Sequence, residues 1–84
     1  MSKVYFTFGS DERYPFGRED FVEVEAETFA VACEVFRAYH PSRPGSILIN
    51  AAGIYTESEF NGFRERFYPS RQPIERIVAR REQG

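Results

Sequence analysis

The chain contains two alternating segments, Lys3-Val-Tyr-Phe-Thr-Phe8 and Phe21-Val-Glu-Val-Glu-Ala26, which together predict a β-sheet. Alternation with a period of two, in β-branched and aromatic residues, is typical of strands with one face on a core. Because this pattern is common in antiparallel pairs, we expect the two strands to run antiparallel. Glu23 and Glu25 are expected to face solvent on the second strand. The residues expected to face the core are Val4, Phe6, Phe8, Val22, Val24 and Ala26.

Residues 9–20 separate the two strands and predict a long loop. They hold two glycines, one proline and six charged residues, a composition that breaks regular structure. Loops of this length inside compact domains often carry function.

The segment after the second strand predicts a helix. Thr28 has the side chain of an N-cap, and Pro41 together with Pro44-Gly45 ends the helix. Two apolar stripes lie side by side on this helix, so we expect it to be buried on two sides. In a chain this short, a second subunit is one way to cover the second side, which predicts a homo-oligomer. The stripes are Val31, Val35 and Ala38, and Phe29, Ala32, Cys33 and Phe36.

Residues 46–52 form the compact apolar run Ser-Ile-Leu-Ile-Asn-Ala-Ala, which predicts a central strand. Thr56 and Glu59 have the spacing of a capping box and begin a second helix. This helix is expected to be amphipathic, since Phe60, Phe63 and Phe67 repeat along one side, and to end before Pro69.

The C-terminal segment 73–78 fits either a helix or a strand, and its β-branched residues favour the strand. Residues 79–84 are expected to fray. At 84 residues the chain has room for one domain. The sequence therefore predicts a single small α+β domain over 1–84. Its sheet would be mainly antiparallel, with three or four strands packed by two helices, in the order ββαβα(β).

The composition excludes several classes of protein. Cys33 is the only cysteine, so no disulfide forms within the chain, and Cys33 with His40 cannot make a structural zinc site. No segment is long and apolar enough for a membrane span and none resembles a signal peptide, so we expect no membrane association. A lone cysteine is typical of a reducing compartment, which predicts a cytoplasmic protein.

No arrangement of residues predicts catalysis. Cys33 and His40 lie seven residues apart on one helix, roughly 10 Å along its axis, too far for a nucleophile and its base. Cys33 is expected in the core and His40 at the helix C-terminus, where a partly charged imidazole is favourable. Phosphate-binding glycine loops and dinucleotide motifs do not occur. We therefore expect no enzyme and no cofactor.

Aromatic and arginine residues outside the predicted core point to binding. The net charge is −2, but residues 1–42 carry −4 and residues 43–84 carry +2, and ten of the eleven basic residues are arginine. Aromatic side chains interleaved with arginine are typical of protein interfaces and of single-stranded nucleic-acid sites. For Tyr14 and Phe16 the alternative is that both fold back over the sheet. For Arg64, Tyr68 and Arg71 it is a solvated helix face with ion pairs. The excess of arginine over lysine also fits the codon bias of a GC-rich genome. The candidate binding residues are Tyr14, Phe16, Arg18, Arg64, Tyr68 and Arg71.

Two kinds of partner follow from these residues. The first is a protein or a small anionic ligand, bound through the 9–20 loop and the arginine-bearing second half. The second is nucleic acid, although a net charge of −2 disfavours general nucleic-acid binding. The residues for nucleic-acid binding would be Arg64, Arg66, Arg71, Arg76, Arg80 and Arg81.

Four stretches resemble a group of small uncharacterised proteins of Gram-positive bacteria, their phages and integrative elements. They are Val4-Tyr-Phe-Thr-Phe-Gly9, Phe21-Val-Glu-Val24, residues 32–36, and Tyr55-Thr56-x-x-Glu59-Phe60. The likeness spans most of residues 3–67 and rests on hydrophobic pattern. It implies an accessory protein of a mobile element that acts by binding, for example by inhibiting a host defence system. It carries no catalytic residues.

Overall fold

The computed structural model describes residues 1–79 and places four strands and three helices in this part of the chain. It confirms the predicted α+β class. None of the helices within residues 1–79 is long and apolar enough to cross a membrane. The elements are β1 (Ser2–Thr7), β2 (Phe21–Ala26), α1 (Phe29–Tyr39), β3 (Gly53–Thr56), α2 (Glu57–Asn61), α3 (Arg64–Phe67) and β4 (Glu75–Val78).

The four strands form one mixed sheet in the order β3-β1-β2-β4. β1 pairs antiparallel with β2, where Val4 faces Val24, and antiparallel with β3, where Tyr5 faces Tyr55. β4 pairs parallel with β2, with Ile77 beside Val24. The mainly antiparallel sheet is thus confirmed with one parallel pairing at its edge. The C-terminal segment forms the strand that its β-branched residues favoured.

One face of the sheet packs against α1. The rings of Phe6 and Phe36 stack with their centroids 4.1 Å apart, and Ala32 completes the contact from the helix. The Thr28 hydroxyl accepts a hydrogen bond from the Val31 amide, so the predicted N-cap is confirmed. Every residue expected to face the core is buried in this cluster: Val4, Phe6, Phe8, Val22, Val24 and Ala26.

The expectation that α1 is buried on two sides is wrong for the single chain. Phe29, Val31 and Tyr39 are exposed, while Ala32 and Phe36 are fully buried. The sheet meets one stripe of the helix, and no other element of residues 1–79 packs on the opposite side.

The opposite face of the sheet is covered by α2, α3 and the segment after them. Tyr5, Phe21, Phe60 and Tyr68 form a second buried cluster there, in which the Tyr5 and Phe60 rings stack at 4.4 Å. The expectation that Glu23 faces solvent is therefore wrong, since its relative exposure is 4%. Two buried faces give this small domain two cores on one sheet.

Residues 46–52 do not form the predicted central strand. They are a loop, and the strand begins only at Gly53, at the edge of the sheet. Ile47 and Leu48 are 89% and 74% exposed. The Leu48 carbonyl accepts a hydrogen bond from the Ser42 hydroxyl, and its amide donates to the Ser46 hydroxyl. These local bonds replace the strand ladder that an apolar run suggested.

The predicted second helix is divided into α2 and α3. Its start is confirmed, because Thr56 and Glu59 form the reciprocal bonds of a capping box. The first piece ends at its C-cap Gly62, which still has helical backbone angles, and the non-helical backbone of Phe63 separates it from α3. The break turns α3 so that Phe67 is 63% exposed instead of packing beside Phe60.

Candidate functional site

The loop 9–20 is folded back on the sheet. The ring of Tyr14 contacts Phe8 at a centroid distance of 6.2 Å, and that of Phe16 contacts Phe8 edge-on at 5.5 Å. Phe16 also meets the His40 ring at 5.2 Å. Both loop rings are half-buried, so they cover the sheet, which is one of the two roles that the sequence left open.

His40 ends α1 as predicted, with its backbone amide donating to the Phe36 carbonyl. Its Nε2 lies 2.6 Å from Oε1 of Glu75 on β4, a contact that the sequence does not suggest. Cys33 is half-buried against the core, and burial raises the pKa of its thiol. A raised pKa keeps the sulfur protonated and therefore a weak nucleophile.

Arg18 and Tyr68, from the two halves of the predicted site, line one cleft. This aromatic cleft has a volume of about 600 Å³ and lies beside the end of β1, between the loop and the α2–α3 layer. Cavities of about 300–1,000 Å³ are typical of small-molecule sites. Its lining residues are Thr7, Phe8, Arg18, Glu19, Tyr55, Phe63, Phe67 and Tyr68.

Three rings form a wall of the aromatic cleft. Phe63 meets Tyr55 edge-on at 4.9 Å and Phe67 edge-on at 5.9 Å. The wall exists because Tyr55 comes from the edge strand β3, while the non-helical backbone of Phe63 redirects α3. Phe67 is the most exposed of the three rings, so the wall offers apolar surface to a ligand.

Two hydroxyl groups lie on the buried side of the aromatic cleft. Tyr68 is 8% exposed and Thr7 is 7% exposed. Burial raises the pKa of Tyr68, and a hydrogen bond with the Thr7 side chain opposes that rise in part. The phenol therefore stays protonated at neutral pH, and the hydroxyl pair provides neutral hydrogen-bonding groups beside the rings.

Arg18 provides the positive charge of the aromatic cleft. Its side chain is exposed and makes no hydrogen bond or ion pair with any residue in the 1–79 range. Glu19, its neighbour on the rim, is likewise unpaired within that range. Asp20 is occupied instead, because its carboxylate accepts a bond from the Gly17 amide and closes the turn. The rim thus offers one free cation and one free carboxylate.

Arg64 and Arg76, two of the predicted binding arginines, are engaged in the fold. The Arg64 guanidinium lies over the Phe21 ring at 5.1 Å and donates to the Arg71 carbonyl. Arg76 forms an ion pair of 2.9 Å with the buried Glu23. Neither arginine lines the aromatic cleft, so the structure does not bring them together with Arg18.

The other predicted arginines are dispersed. The side chains of Arg66 and Arg71 are exposed and form no ion pair with the described part of the chain. Arg80 and Arg81 lie outside the described residues. No continuous basic surface is therefore defined by the arginines whose positions are described.

A second cavity of about 460 Å³ lies beside β3 and the 46–52 loop. Arg43 stands over the Tyr14 ring at 4.8 Å there and approaches Asp11 at 3.8 Å. The side-chain oxygen Oδ1 of Asn50 is buried in this region without a hydrogen-bond partner. Arg43 shares the Asp11 carboxylate with Arg13, which pairs with it more closely, at 2.8 Å.

Sequence reasoning missed most of the aromatic cleft. Helical spacing assigns Phe63 and Phe67 to the apolar side of an amphipathic helix, and Thr7 and Tyr55 lie in strands. No local signal identifies them, because the cleft forms only where the loop approaches the α2–α3 layer. Glu19 alone could have been found, as a charged neighbour of Arg18 in a loop.

Comparisons with known proteins bring no assignment to this site. Within residues 1–79 no group of three or more His, Cys, Asp and Glu side chains could hold a metal ion. The resemblance to proteins of mobile elements stays a prediction. No protein-family model, no curated protein and no solved structure matches the chain.

Proposed function

We propose that the protein is a small binding protein without catalytic activity, which acts by stoichiometric contact through the aromatic cleft. Its partner would be a small anionic ligand or an anionic group on a protein. The observation that carries the proposal is the unpaired Arg18 at the rim of a cleft walled by Tyr55, Phe63 and Phe67.

The chemistry of the aromatic cleft supports an anionic partner. Guanidinium binds carboxylate and phosphate through paired hydrogen bonds. These bonds are stronger where aromatic rings exclude water. Aromatic and arginine side chains are also the residues that contribute most to binding in protein interfaces. The resemblance noted above adds the biological setting: an accessory factor of a phage or integrative element, working in the cytoplasm, for example by inhibiting a host defence system.

The proposal is tested by native mass spectrometry of protein purified without a nuclease step. We expect a retained ligand or partner that is lost in Arg18→Gln and in Phe67→Ala. Both residues are exposed, so neither change should disturb folding. Arg66→Gln is the matched control, since Arg66 is an exposed arginine that does not line the aromatic cleft. Equal retention by all four proteins would rule out the aromatic cleft as the contact site.

Nucleic-acid binding is the second candidate function. The observation that favours it is that Arg66 and Arg71 expose side chains without ion pairs to the rest of the described chain. Such binding weakens steeply with salt, because each neutralised phosphate releases counterions. Fluorescence anisotropy with a single-stranded oligonucleotide at rising salt distinguishes the candidates: Arg66→Gln would then weaken binding, whereas Arg18→Gln would not.

A homo-oligomer is the remaining proposal about partners. Phe29, Val31 and Tyr39 give α1 an exposed apolar side in the single chain. A second copy seated on this side would bury it. The same native mass spectra give the number of subunits, and a monomer at working concentration would exclude this role.

A further inference from the structure

We infer that the aromatic cleft binds a small molecule that combines a flat heterocyclic ring with an acidic group, of the nucleoside monophosphate class. The inference rests on the proposed function and names the ligand of the same site. Three features of the cleft carry it: perpendicular rings, a free guanidinium and hydroxyl groups beside the rings.

The ring arrangement selects a flat ligand. Phe63 stands at 74° to Tyr55 and at 66° to Phe67. A planar ring lying against the face of one of these side chains would present its own face to the edge of the next. Both geometries are favourable between aromatic rings, and an aliphatic group would use neither. Stacking of a nucleobase on such a side chain contributes substantially to binding and tolerates different bases.

The guanidinium selects an acidic group at one end of the ligand. Arg18 has its five donors unoccupied by the described chain, and it stands on the rim, where the acidic group stays near water. Glu19 beside it accepts hydrogen bonds and lowers the net charge of the rim. An acceptor next to a guanidinium suits a ligand that carries hydroxyl donors near its phosphate, as a ribose does.

The hydroxyl groups favour a heterocycle over a plain benzene ring. Thr7 and Tyr68 lie at the buried side of the aromatic cleft, and burial keeps the phenol of Tyr68 protonated. Nitrogen and oxygen atoms on the edge of a base would bond to these hydroxyls, whereas a hydrocarbon ring would leave them without new partners. The volume of about 600 Å³ accommodates a ligand of this size.

The test is a titration followed by ¹⁵N–¹H NMR with four probes: adenosine 5′-monophosphate, guanosine 5′-monophosphate, adenosine and ribose 5-phosphate. We expect saturable shifts at Thr7, Arg18 and Tyr55 with the two nucleotides. Affinity should be at least about tenfold lower for adenosine, which lacks the anion, and for ribose 5-phosphate, which lacks the ring. Arg18→Gln should lower nucleotide affinity to that of adenosine, and Arg66→Gln should leave it unchanged.

Two outcomes would overturn the inference and spare the proposed function. One is the absence of saturable shifts with either nucleotide, while native mass spectrometry still finds a partner that Arg18→Gln loses. The other is tighter binding of a phosphotyrosine peptide than of either nucleotide, which would assign the aromatic cleft to a protein. If native mass spectrometry shows that every cleft variant keeps its partner, the proposed function itself is excluded.

Discussion

The Tyr5 hydroxyl donates a hydrogen bond of 2.9 Å to Oε1 of Glu23, and both residues are buried within the sheet. The two are register partners on β1 and β2. Glu23 is in turn the register partner of Arg76 on β4, which pairs with its second oxygen at 2.9 Å. Tyr55 on β3 completes the row beside Tyr5. One polar row therefore crosses all four strands and ends in a ring of the aromatic cleft.

Removing the Tyr5 hydroxyl should destabilise the fold. In Tyr5→Phe the ring can still stack on Phe60, but Oε1 of Glu23 loses its donor in a buried site. We expect the free energy of unfolding to fall by about 1–3 kcal/mol. Urea denaturation followed by circular dichroism measures the change. Tyr39→Phe is the control, because Tyr39 is exposed, and an equal loss in both variants would contradict this account.

Stability should fall above about pH 10, the ordinary pKa of tyrosine. Burial first, and then the bond to Glu23, raises the pKa of Tyr5 to about 12. The folded chain thus holds the phenolic proton more tightly than the unfolded chain. The resulting stabilisation is complete below about pH 10 and is lost between about pH 10 and 12, at up to about 1.4 kcal/mol per pH unit.

Urea denaturation at intervals from pH 8 to pH 11.5 follows this loss. Burial also raises the pKa of Tyr68, so its proton acts in the same direction. Tyr5→Phe should flatten the decline, because it removes the larger contribution. A decline of the same steepness in the variant would show that Tyr5 is not its source.

Breaking the ion pair at the edge of the sheet should cost more than removing an isolated surface arginine. In Arg76→Ala the buried Glu23 carboxylate keeps only the Tyr5 hydroxyl. The Arg76 side chain is 56% exposed, so water screens the pair, and we expect a loss of about 1–2 kcal/mol at pH 7. Arg66→Ala serves as comparison with an expected change below about 0.5 kcal/mol. Thermal denaturation of both variants measures the two losses. Equal unfolding midpoints would show that the ion pair of Arg76 with Glu23 does not stabilise the fold.

The two phenylalanines of α1 should differ sharply in their contribution. Phe36 is fully buried and stacks on Phe6, whereas Phe29 is 41% exposed. We expect Phe36→Ala to cost about 3–5 kcal/mol and Phe29→Ala under about 1 kcal/mol. Chemical denaturation at several protein concentrations checks both values. A large, concentration-dependent loss in Phe29→Ala would instead indicate that a second copy covers the exposed side of α1.

Local patterns were sufficient for the elements that one stretch of chain specifies. The alternation in residues 3–8 and 21–26 predicted β1 and β2, and the caps at Thr28 and at Thr56 with Glu59 marked where helices begin. These signals are reliable because their physical cause is a neighbouring residue: a capping hydroxyl bonds an amide three positions away.

Patterns failed where burial depends on distant parts of the chain. Glu23 has the sequence position of a solvent-facing residue, but α2 and α3 cover its face and Tyr5 and Arg76 supply its partners. The apolar run 46–52 has the composition of a strand, yet local serine bonds hold it in a loop. Side-chain polarity cannot reveal which face a later helix will cover.

The sequence by itself determined the α+β class, the two leading strands and the helix starts. Tertiary structure alone decided that β4 pairs parallel with β2, that a second core forms, and that Arg18 and Tyr68 line the same cleft. The physical reason is range: capping and alternation act over a few residues, whereas the aromatic cleft requires residues 7–8, 18–19, 55, 63 and 67–68 to converge. That convergence depends on how the whole sheet is covered.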